Sequence, residues 1–444
     1  MIVVSPALDV ILDFVGEQNG TKSNLRWSSF SFKIYEGSNI LLFNTLTKEL
    51  LSLTSEKELE GSKCELFRKW FYVDEGFDEV AFVDKLRSLY SITKETQNGF
   101  DFYTILTTTN CNARCFYCYE KSQSHRDMTL ETANDIVRYV KNTKKDGSKI
   151  MLNWLGGEPL FNSSVISIIC DGLKRECVDF SSTMVSNGFL FNSELVSVAK
   201  EKWNLESVQV TLDGTENIYN RVKAYVDVEG SAFKKVIENI FLLLGANVRV
   251  TIRLNVDFHN LADLNSLIEY LAGEYDKYDN FTVYAVPLFE ENDCCRRRRT
   301  SEQRIELYEK VMEMNKQILY YGMSKPAKIS KEFVFHQCMA DGDDSIMIMP
   351  DGYIGKCTRY TDSNYIGHIN DVSVDKKMLL KYRMRRKIIS ECKTCSLYPD
   401  CIRLEMCQEQ KNCYKEYRDA RILGLSTAIR NEYKAYLERE KNKE

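Results

Sequence analysis

The sequence of 444 residues lacks an excess of charge of either sign. Its 60 Lys and Arg are balanced by 64 Asp and Glu, and the net charge of −4 gives no indication of a nucleic-acid partner. The chain also lacks a long apolar run at its start, because Asp9 and Asp13 interrupt residues 1–15 and no basic residue precedes them. We therefore expect no signal peptide, no membrane span and no membrane partner.

Cysteine, in contrast, is abundant, with 15 residues in the chain. A first group, Cys111-x3-Cys115-x2-Cys118, offers three thiolates within one short loop. A [4Fe–4S] cluster normally takes four cysteine ligands, so this group would leave one iron open to a ligand that is not protein. A structural zinc site is the alternative, but it needs a fourth ligand close by, and His125 is the only imidazole near the group. The spacing favours a cluster whose open iron carries the chemistry.

The middle of the sequence alternates between strand-like and helix-like segments. A first β-branched and aromatic run, Tyr103 to Thr109, leads directly into Cys111. Five more strand-like runs follow, with helical patterns between them: Ile150 to Trp154, Ser182 to Ser186, Ser207 to Leu212, Val248 to Val256 and Phe281 to Leu288. Six βα units predict an α/β fold with a parallel sheet, in which chemistry lies at the carboxyl ends of the strands.

Two cysteine patterns resemble those of a known family. The first group, placed after a strand and with Tyr117 before the third cysteine, resembles the signature of the radical S-adenosylmethionine (radical SAM) enzymes. A later run resembles the SPASM extension of that family's peptide and protein maturases: Cys338, Gly352-x4-Cys357, and Cys392-x2-Cys395-x5-Cys401-x5-Cys407-x5-Cys413. The resemblance implies a partial (β/α)6 radical SAM barrel at residues 99–325. It also implies an N-terminal winged-helix-like domain at residues 1–98 and a C-terminal auxiliary-cluster (SPASM) domain at residues 326–444.

The resemblance further assigns the cofactors, S-adenosylmethionine (SAM) and three [4Fe–4S] clusters. Cys111, Cys115 and Cys118 would ligate the SAM-binding cluster. The auxiliary ligands would be Cys392, Cys395, Cys401 and Cys413 for a distal cluster, and Cys338, Cys357 and Cys407 for a proximal one. The proximal set is one ligand short. Cys294 or Cys295 would supply the missing thiolate, or the position would stay open for a substrate atom. Alternatively, the Cys294–Cys295 pair is exposed and unrelated to the cluster. The spacing around Cys407 and Cys413 departs from the usual family pattern.

Motifs at the following strand ends resemble the SAM-binding motifs of the family. Gly156-Gly157-Glu158-Pro159 follows the second strand, and in the family this motif holds the SAM amino group through backbone carbonyls and the glutamate. Glycine permits a close backbone approach, and a carboxylate suits an ammonium. The other residues that the resemblance places at SAM lie at later strand ends: Ser186, Asn187, Thr211 and Leu288, with Arg253, Asn255 and Val286.

The first 98 residues have a pattern of their own. Two alternating runs joined around Glu36 to Asn39 predict a hairpin, and helical patterns follow at Ser55 to Trp70 and at Asp78 to Tyr90. The pattern resembles winged-helix peptide-recognition domains, which bind leader peptides by adding a strand to a sheet edge. A structural cap on the barrel is an equally weighted interpretation.

The implied function is oxidative maturation of a peptide. A radical formed from SAM would remove a hydrogen atom from a ribosomally made precursor peptide that carries a leader, and a thioether or carbon–carbon crosslink would result. The electron donor would be an external flavodoxin or ferredoxin. Because oxygen destroys clusters with an open iron, we expect a cytoplasmic enzyme.

Three functions besides that of a peptide maturase remain open. The first is that of an anaerobic sulfatase-maturing enzyme. Such enzymes carry an aspartate directly after the cysteine that Cys357 matches, whereas Thr358 stands here, so a substitute base would be needed, for which Asp351 and Asp362 are candidates. The second is that of a different protein-modifying SPASM oxidoreductase, and the third is that of a non-enzymatic iron–sulfur electron carrier.

Overall fold

An N-terminal antiparallel sheet, a central parallel sheet and a cysteine-rich region follow one another along the chain. The computed structural model describes residues 1–18, 24–94, 99–120, 124–226, 228–275, 277–288, 299–330, 338–359, 364–371, 374–401, 404–407 and 413–443. Within these ranges, no helix combines the length and the apolar character needed to cross a bilayer. Cys294, Cys295 and Asp362 lie outside the described residues.

The N-terminal region contains a four-stranded antiparallel sheet and four helices. Its elements are β1 (Ile2–Ser5), α1 (Asp9–Val15), β2 (Leu25–Trp27), β3 (Ser31–Glu36), β4 (Asn39–Asn44), β5 (Leu50–Leu53), α2 (Glu56–Gly61), α3 (Lys63–Arg68), β6 (Tyr72–Asp74) and α4 (Glu79–Lys94). The strand order is β1-β5-β4-β3, and β2 pairs with β6 separately. The predicted hairpin is present, with Gly37 at a φ of +60° in its turn. The predicted helix from Ser55 to Trp70 is instead two short helices divided at Ser62.

The central region contains the six predicted parallel strands in consecutive order. Its elements are β7 (Phe102–Thr108), α5 (Leu130–Thr143), β8 (Ile150–Gly156), α6 (Ser163–Arg175), β9 (Phe180–Ser186), α7 (Ser193–Glu201), β10 (Leu205–Thr211), α8 (Glu216–Lys223), α9 (Ala232–Gly245), β11 (Arg249–Val256), α10 (Leu261–Tyr275), β12 (Phe281–Pro287) and α11 (Ser301–Tyr320). Apolar faces of the helices and strands form one continuous core. The partial (β/α)6 architecture predicted from the sequence is confirmed.

The C-terminal region adds to this sheet rather than standing apart from it. Its elements are β13 (Ser345–Ile348), β14 (Tyr353–Gly355), β15 (Gly367–His368), α12 (Lys376–Arg383) and α13 (Lys415–Lys441). β13 pairs in parallel with β7, so the sheet has nine strands in the order β12-β11-β10-β9-β8-β7-β13-β14-β15. This pairing covers the edge of β7, whose backbone would otherwise lack partners on one side.

Both faces of the N-terminal sheet are covered by other elements. Leu42 and Leu51 face the core that α2 and α3 complete, with Leu59 and Leu66. The opposite face packs on the last helix, where Ala428, Ile429 and Tyr433 of α13 meet Phe32, Ile34 and Leu41. The two ends of the chain therefore share one hydrophobic cluster.

Candidate active site

The first cysteine group lies in the loop that follows β7, at the carboxyl end of the parallel sheet. Cys111, Cys115 and Cys118 are all partly exposed. The backbone N–H of Ala113 lies 3.3 Å from the sulfur of Cys111, which shapes the loop around its first thiol. The loop backbone is also joined to the end of α8, because the N–H of Arg114 donates to the carbonyl of Lys223 at 2.8 Å.

The chemistry of these three thiols suits several irons better than one ion. Burial raises the pKa of Cys111 to about 12 and that of Cys118 to about 11, so a bound cation is needed to ionise them near neutral pH. Among the described residues, no three His, Cys, Asp or Glu side chains converge on a position for a single metal ion. Thiolates of a [4Fe–4S] cluster each bind a different iron, so the donor set of three cysteines fits such a cluster, and the cluster stays a prediction.

A triad of Tyr117, Asp213 and Lys223 lies beneath the cysteine loop, and Asp213 and Lys223 form its buried ion pair. The hydroxyl of Tyr117 donates to Asp213 at 2.6 Å, and the ammonium of Lys223 lies 3.1 Å from that hydroxyl and 3.0 Å from the Asp213 carboxylate. Asn255 donates to the other Asp213 oxygen at 3.2 Å. Burial raises the pKa of Cys115, and the positive charge of Lys223 lowers it. The triad thus holds the aromatic ring of the loop and places one cation near the second cysteine.

Sequence reasoning missed the role of this triad. Asp213 is followed by Gly214, and this Asp-Gly pair indicates no more than a turn. Lys223 lies 106 residues from Tyr117 in the sequence, at the end of a helix, so no local pattern indicates that the two are in contact.

The glycines of Gly156-Gly157-Glu158-Pro159 are required by the backbone of the cysteine loop. Gly156 has a φ of +137°, and a Cβ there would lie 2.1 Å from the carbonyl oxygen of Thr108. A Cβ on Gly157 would lie 2.4 Å from the carbonyl oxygen of Asn110. The N–H of Glu158 donates to that same carbonyl at 2.8 Å. The turn therefore lies directly against the chain that enters the cysteine loop.

The carboxylate of Glu158 joins the ends of β8 and β9. It is completely buried and accepts hydrogen bonds from the Leu160 N–H at 3.2 Å, the Ser186 hydroxyl at 2.9 Å and the Asn187 N–H at 2.8 Å. Burial raises its pKa to about 7, while these donors lower it. The expected contact between Glu158 and the SAM amino group stays a prediction. The Glu158 carboxylate already has a structural role, because it joins the two strand ends.

Of the other predicted SAM-binding residues, Asn187 lies closest to the cysteines. Its side-chain amide donates to Asn112 at 2.7 Å and lies 3.8 Å from the sulfur of Cys111. Thr211 ends β10 beside Arg253, and the backbone of Leu288 bonds Val256 at 2.8 Å after β12. Thr211 and Leu288 therefore both lie at the carboxyl end of the parallel sheet, at the ends of β10 and β12.

The second cysteine group comprises two sets with different surroundings. Cys338, Cys357 and Cys407 pack against the barrel core. Cys392 and Cys395 pack against the N-terminal region. Cys392 and Cys413 both act electrostatically on Cys395, whose pKa is raised mainly by burial. These two sets agree with the division into proximal and distal ligands, which remains a prediction.

The two cysteine groups approach each other at Tyr119 and Thr358. Burial raises the pKa of Tyr119, directly after Cys118, and the nearby side chain of Thr358, directly after Cys357, lowers it. The guanidinium of Arg359 lies 4.7 Å from the centre of the Tyr119 ring. Glu120 is also buried here, and burial raises its pKa to about 7. The sequence analysis did not identify Glu120, although a charged residue so close to the predicted ligand Cys118 is a candidate site residue.

Several known proteins are similar to this chain in sequence. Residues 105–271 match the family model of the radical SAM superfamily. This central part of the chain is a radical SAM domain. The chain resembles an uncharacterized protein of Methanocaldococcus jannaschii, MJ0907, with 23% identity over 280 residues, 62% of this chain and 90% of that protein. It is also 23% identical over 223 residues to the radical SAM cyclopropyl synthase TigE of Paramaledivibacter caminithermalis, covering 43% of this chain and 47% of TigE.

Two solved structures have a similar fold to this radical SAM enzyme. One is anSMEcpe with bound AdoMet and a Cp18Cys peptide, with a TM-score of 0.57 and 16% identity over 76% of this chain and 99% of the other. The second is Streptococcus suis SuiB bound to its precursor peptide SuiA, with a TM-score of 0.54 and 14% identity over 87% of this chain and 98% of SuiB. At these identities the likeness establishes the radical SAM fold.

Proposed function

We propose that this radical SAM enzyme is a peptide maturase. It removes a hydrogen atom from a ribosomally made precursor peptide and installs a thioether or carbon–carbon crosslink by net oxidation. We further propose that it works in the cytoplasm with an external flavodoxin-type or ferredoxin-type electron donor.

The observation that carries the proposal is the contact between the two cysteine groups. Tyr119 directly follows Cys118, and its ring centre lies 4.7 Å from the guanidinium of Arg359, two residues after Cys357, so the two loops are in contact. A crosslink removes two hydrogens from the peptide, so the reaction needs an outlet for electrons near the site of hydrogen removal. A second iron–sulfur site beside the first one offers that outlet, whereas a simple electron carrier has no need of the SAM-binding motifs.

The residues around the first cysteine group fit a cluster and SAM. Cys111, Cys115 and Cys118 would ligate the cluster. The glycine turn lies directly against the backbone that enters the cysteine loop, because its glycines have no side chain. When bound, this pair supplies a radical that can remove a hydrogen atom from carbon. The chain's own part is to hold the cysteine loop through Lys223 and Asp213 and to keep the turn against it through Glu158.

A peptide is the substrate class that the relatives favour. SuiB was solved with a precursor peptide and anSMEcpe with a peptide. The N-terminal sheet of this chain offers an edge strand, β3, and strand addition is a common mode of peptide binding. We therefore propose that the region of residues 1–98 binds the leader.

The surroundings of position 358 favour a crosslink over a sulfatase-type oxidation. Thr358 offers a hydroxyl, which is a poor proton acceptor, in place of a carboxylate. Asp351, a candidate substitute base, forms a 2.9 Å ion pair with Arg126. The Asp351 carboxylate is thus already paired with a guanidinium.

The test is a mass measurement on a precursor peptide encoded beside this chain's gene. The peptide is incubated without oxygen with reconstituted enzyme, SAM and a strong reductant, and Cys115→Ala serves as the inactive control. We expect the loss of two hydrogens per crosslink with the wild type and no change with the control.

Two other results would contradict the proposal. Formation of an aldehyde from a Cys or Ser of the substrate would identify a sulfatase-type enzyme. Absence of SAM cleavage by a protein with full iron content would favour the electron carrier.

A further inference from the structure

The N-terminal region encloses part of the second cysteine group. Cys392 is only 5% exposed, and it lies in a hydrophobic cluster with Tyr398. The rest of that cluster comes from the opposite end of the chain: Ile11, Phe30, Leu46, Val80, Val83 and Leu86. A predicted iron ligand is thus covered by side chains of the proposed recognition domain.

One buried arginine of α4 holds the turn that leads to Cys401. The two hydrogens of Arg87 Nη2 are shared among the carbonyl oxygens of Tyr398 at 2.5 Å, Pro399 at 3.1 Å and Cys401 at 3.2 Å. It also lies 4.8 Å from the centre of the Tyr398 ring. A planar group with several fixed donors imposes a defined geometry on the carbonyls that it binds.

Further contacts from the N-terminal region hold the same turn. The hydroxyl of Tyr398 donates to Asp84 of α4 at 2.8 Å. The ammonium of Lys48 lies 2.5 Å from Asp400, and the hydroxyl of Thr45 donates to the carbonyl of Ser396 at 2.6 Å. Leu397 packs in the cluster between the N-terminal sheet and α13. Residues 396 and 398–401 therefore each contact a side chain of the N-terminal region, and Leu397 shares a hydrophobic cluster with that region.

Cys401 is also approached from the cysteine-rich region itself. The guanidinium of Arg385 donates to the Cys401 carbonyl at 3.0 Å, so this carbonyl accepts from arginines of two different regions. Nearby positive charge favours the negative charge that thiolate ligands bring to a cluster.

We propose that the N-terminal region is a structural part of the distal cluster site, and that Arg87 is the positioning residue that shapes the Tyr398–Cys401 turn for iron ligation. The region is therefore more than a recognition module. A chain whose N-terminal region is displaced from this turn loses the distal cluster even though all its cysteines are present.

The test compares two arginine variants of the full-length protein. Arg87→Met removes the donors to the turn while keeping a long side chain. Arg26→Met is the matched control, because Arg26 lies in the same region but binds Glu79 at 2.6 Å and the Phe77 carbonyl at 2.7 Å rather than the Tyr398–Cys401 turn. Both proteins are reconstituted without oxygen, and iron and sulfide per chain are measured with the electron paramagnetic resonance spectrum of the reduced protein.

We expect Arg87→Met to lose about one third of the iron, because one of three expected [4Fe–4S] clusters is missing, and to lose one spectral component. SAM cleavage without substrate should persist, since the first cysteine group is untouched. Arg26→Met should keep the full iron content. A folded Arg87→Met protein with wild-type iron and a wild-type spectrum would overturn the proposal.

A reciprocal measurement decides the case in which Arg87→Met does not fold. Because coupling between two sites acts in both directions, loss of the distal cluster must loosen the N-terminal region. We expect amide hydrogens of α4 to exchange faster in Cys401→Ala than in the wild type, while those of α6 are unchanged. Equal exchange in α4 would overturn the proposal.

Discussion

The ammonium of Lys223 lies 3.0 Å from the carboxylate of Asp213, and both side chains are almost completely buried. The pair is bonded to Tyr117 in the cysteine loop, so a salt bridge between α8 and the end of β10 supports the site where the SAM-binding cluster is expected.

Replacing Lys223 by Met should destabilise the apoprotein by about 3–5 kcal/mol, because Asp213 is left as a buried charge without its cation. Adding Asp213→Asn to this variant should restore part of the loss. The measurement is urea denaturation, with Lys149→Met as a control that removes one partner of an exposed ion pair with Glu206. Equal stabilities of the Lys223 variant and the wild type would contradict this account of the triad.

Replacing Gly156 by Ala should abolish SAM binding and lower the iron content of the first site. The added Cβ would lie 2.1 Å from the Thr108 carbonyl oxygen, and the φ of +137° disfavours any L side chain. Equilibrium dialysis with labelled SAM measures the loss. Gly245→Ala is the matched control, because a Cβ there meets nothing within 4 Å. Normal SAM binding by Gly156→Ala would show that the turn can move away from the cysteine loop.

Replacing Glu158 by Gln should flatten the dependence of stability on pH between about 4.5 and 7. The pKa of Glu158 is raised to about 7 in the folded protein, from 4.5. A raised carboxyl pKa means that its stabilising contribution is present below pH 4.5 and is lost as the pH rises through 7. The wild type should therefore lose up to roughly 3 kcal/mol more than the variant over this range. Urea denaturation of both apoproteins at pH 5 and 7.5 measures the difference. An equal change in the free energy of unfolding for the two proteins would contradict the prediction.

Replacing Asn187 by Asp should speed the release of iron from the first site. The side-chain amide lies 3.8 Å from the Cys111 sulfur, and a carboxylate oxygen there would repel a thiolate. We expect release to a chelator to be about tenfold faster, in line with the loss of one hydrogen bond to a charged group. Asn192→Asp is the control, because Asn192 caps α7 and Asp is an equally good cap. Unchanged release would mean that this amide does not act on the cluster.

Local sequence patterns were sufficient to predict much of the fold and of the candidate site. A β-branched strand running into Cys111, five further βα units and the Gly156–Pro159 turn are patterns within a few residues, and each is present in the structure. The predicted limits of β8 and β9 were short by only a few residues at one end. The division of Ser55 to Trp70 into two helices was missed, because its cap at Ser62 carries no side-chain hydrogen bond that a pattern could indicate.

The sequence by itself determined the spacing of the two cysteine groups and the strand that the first group follows, because residue spacing and strand periodicity are local properties. Only the tertiary structure decided what surrounds them. It brought Lys223 to Tyr117, added β13 to the edge of β7, and placed Arg87 on the turn before Cys401. These contacts join distant parts of the chain, and their energies depend on burial that no short segment encodes.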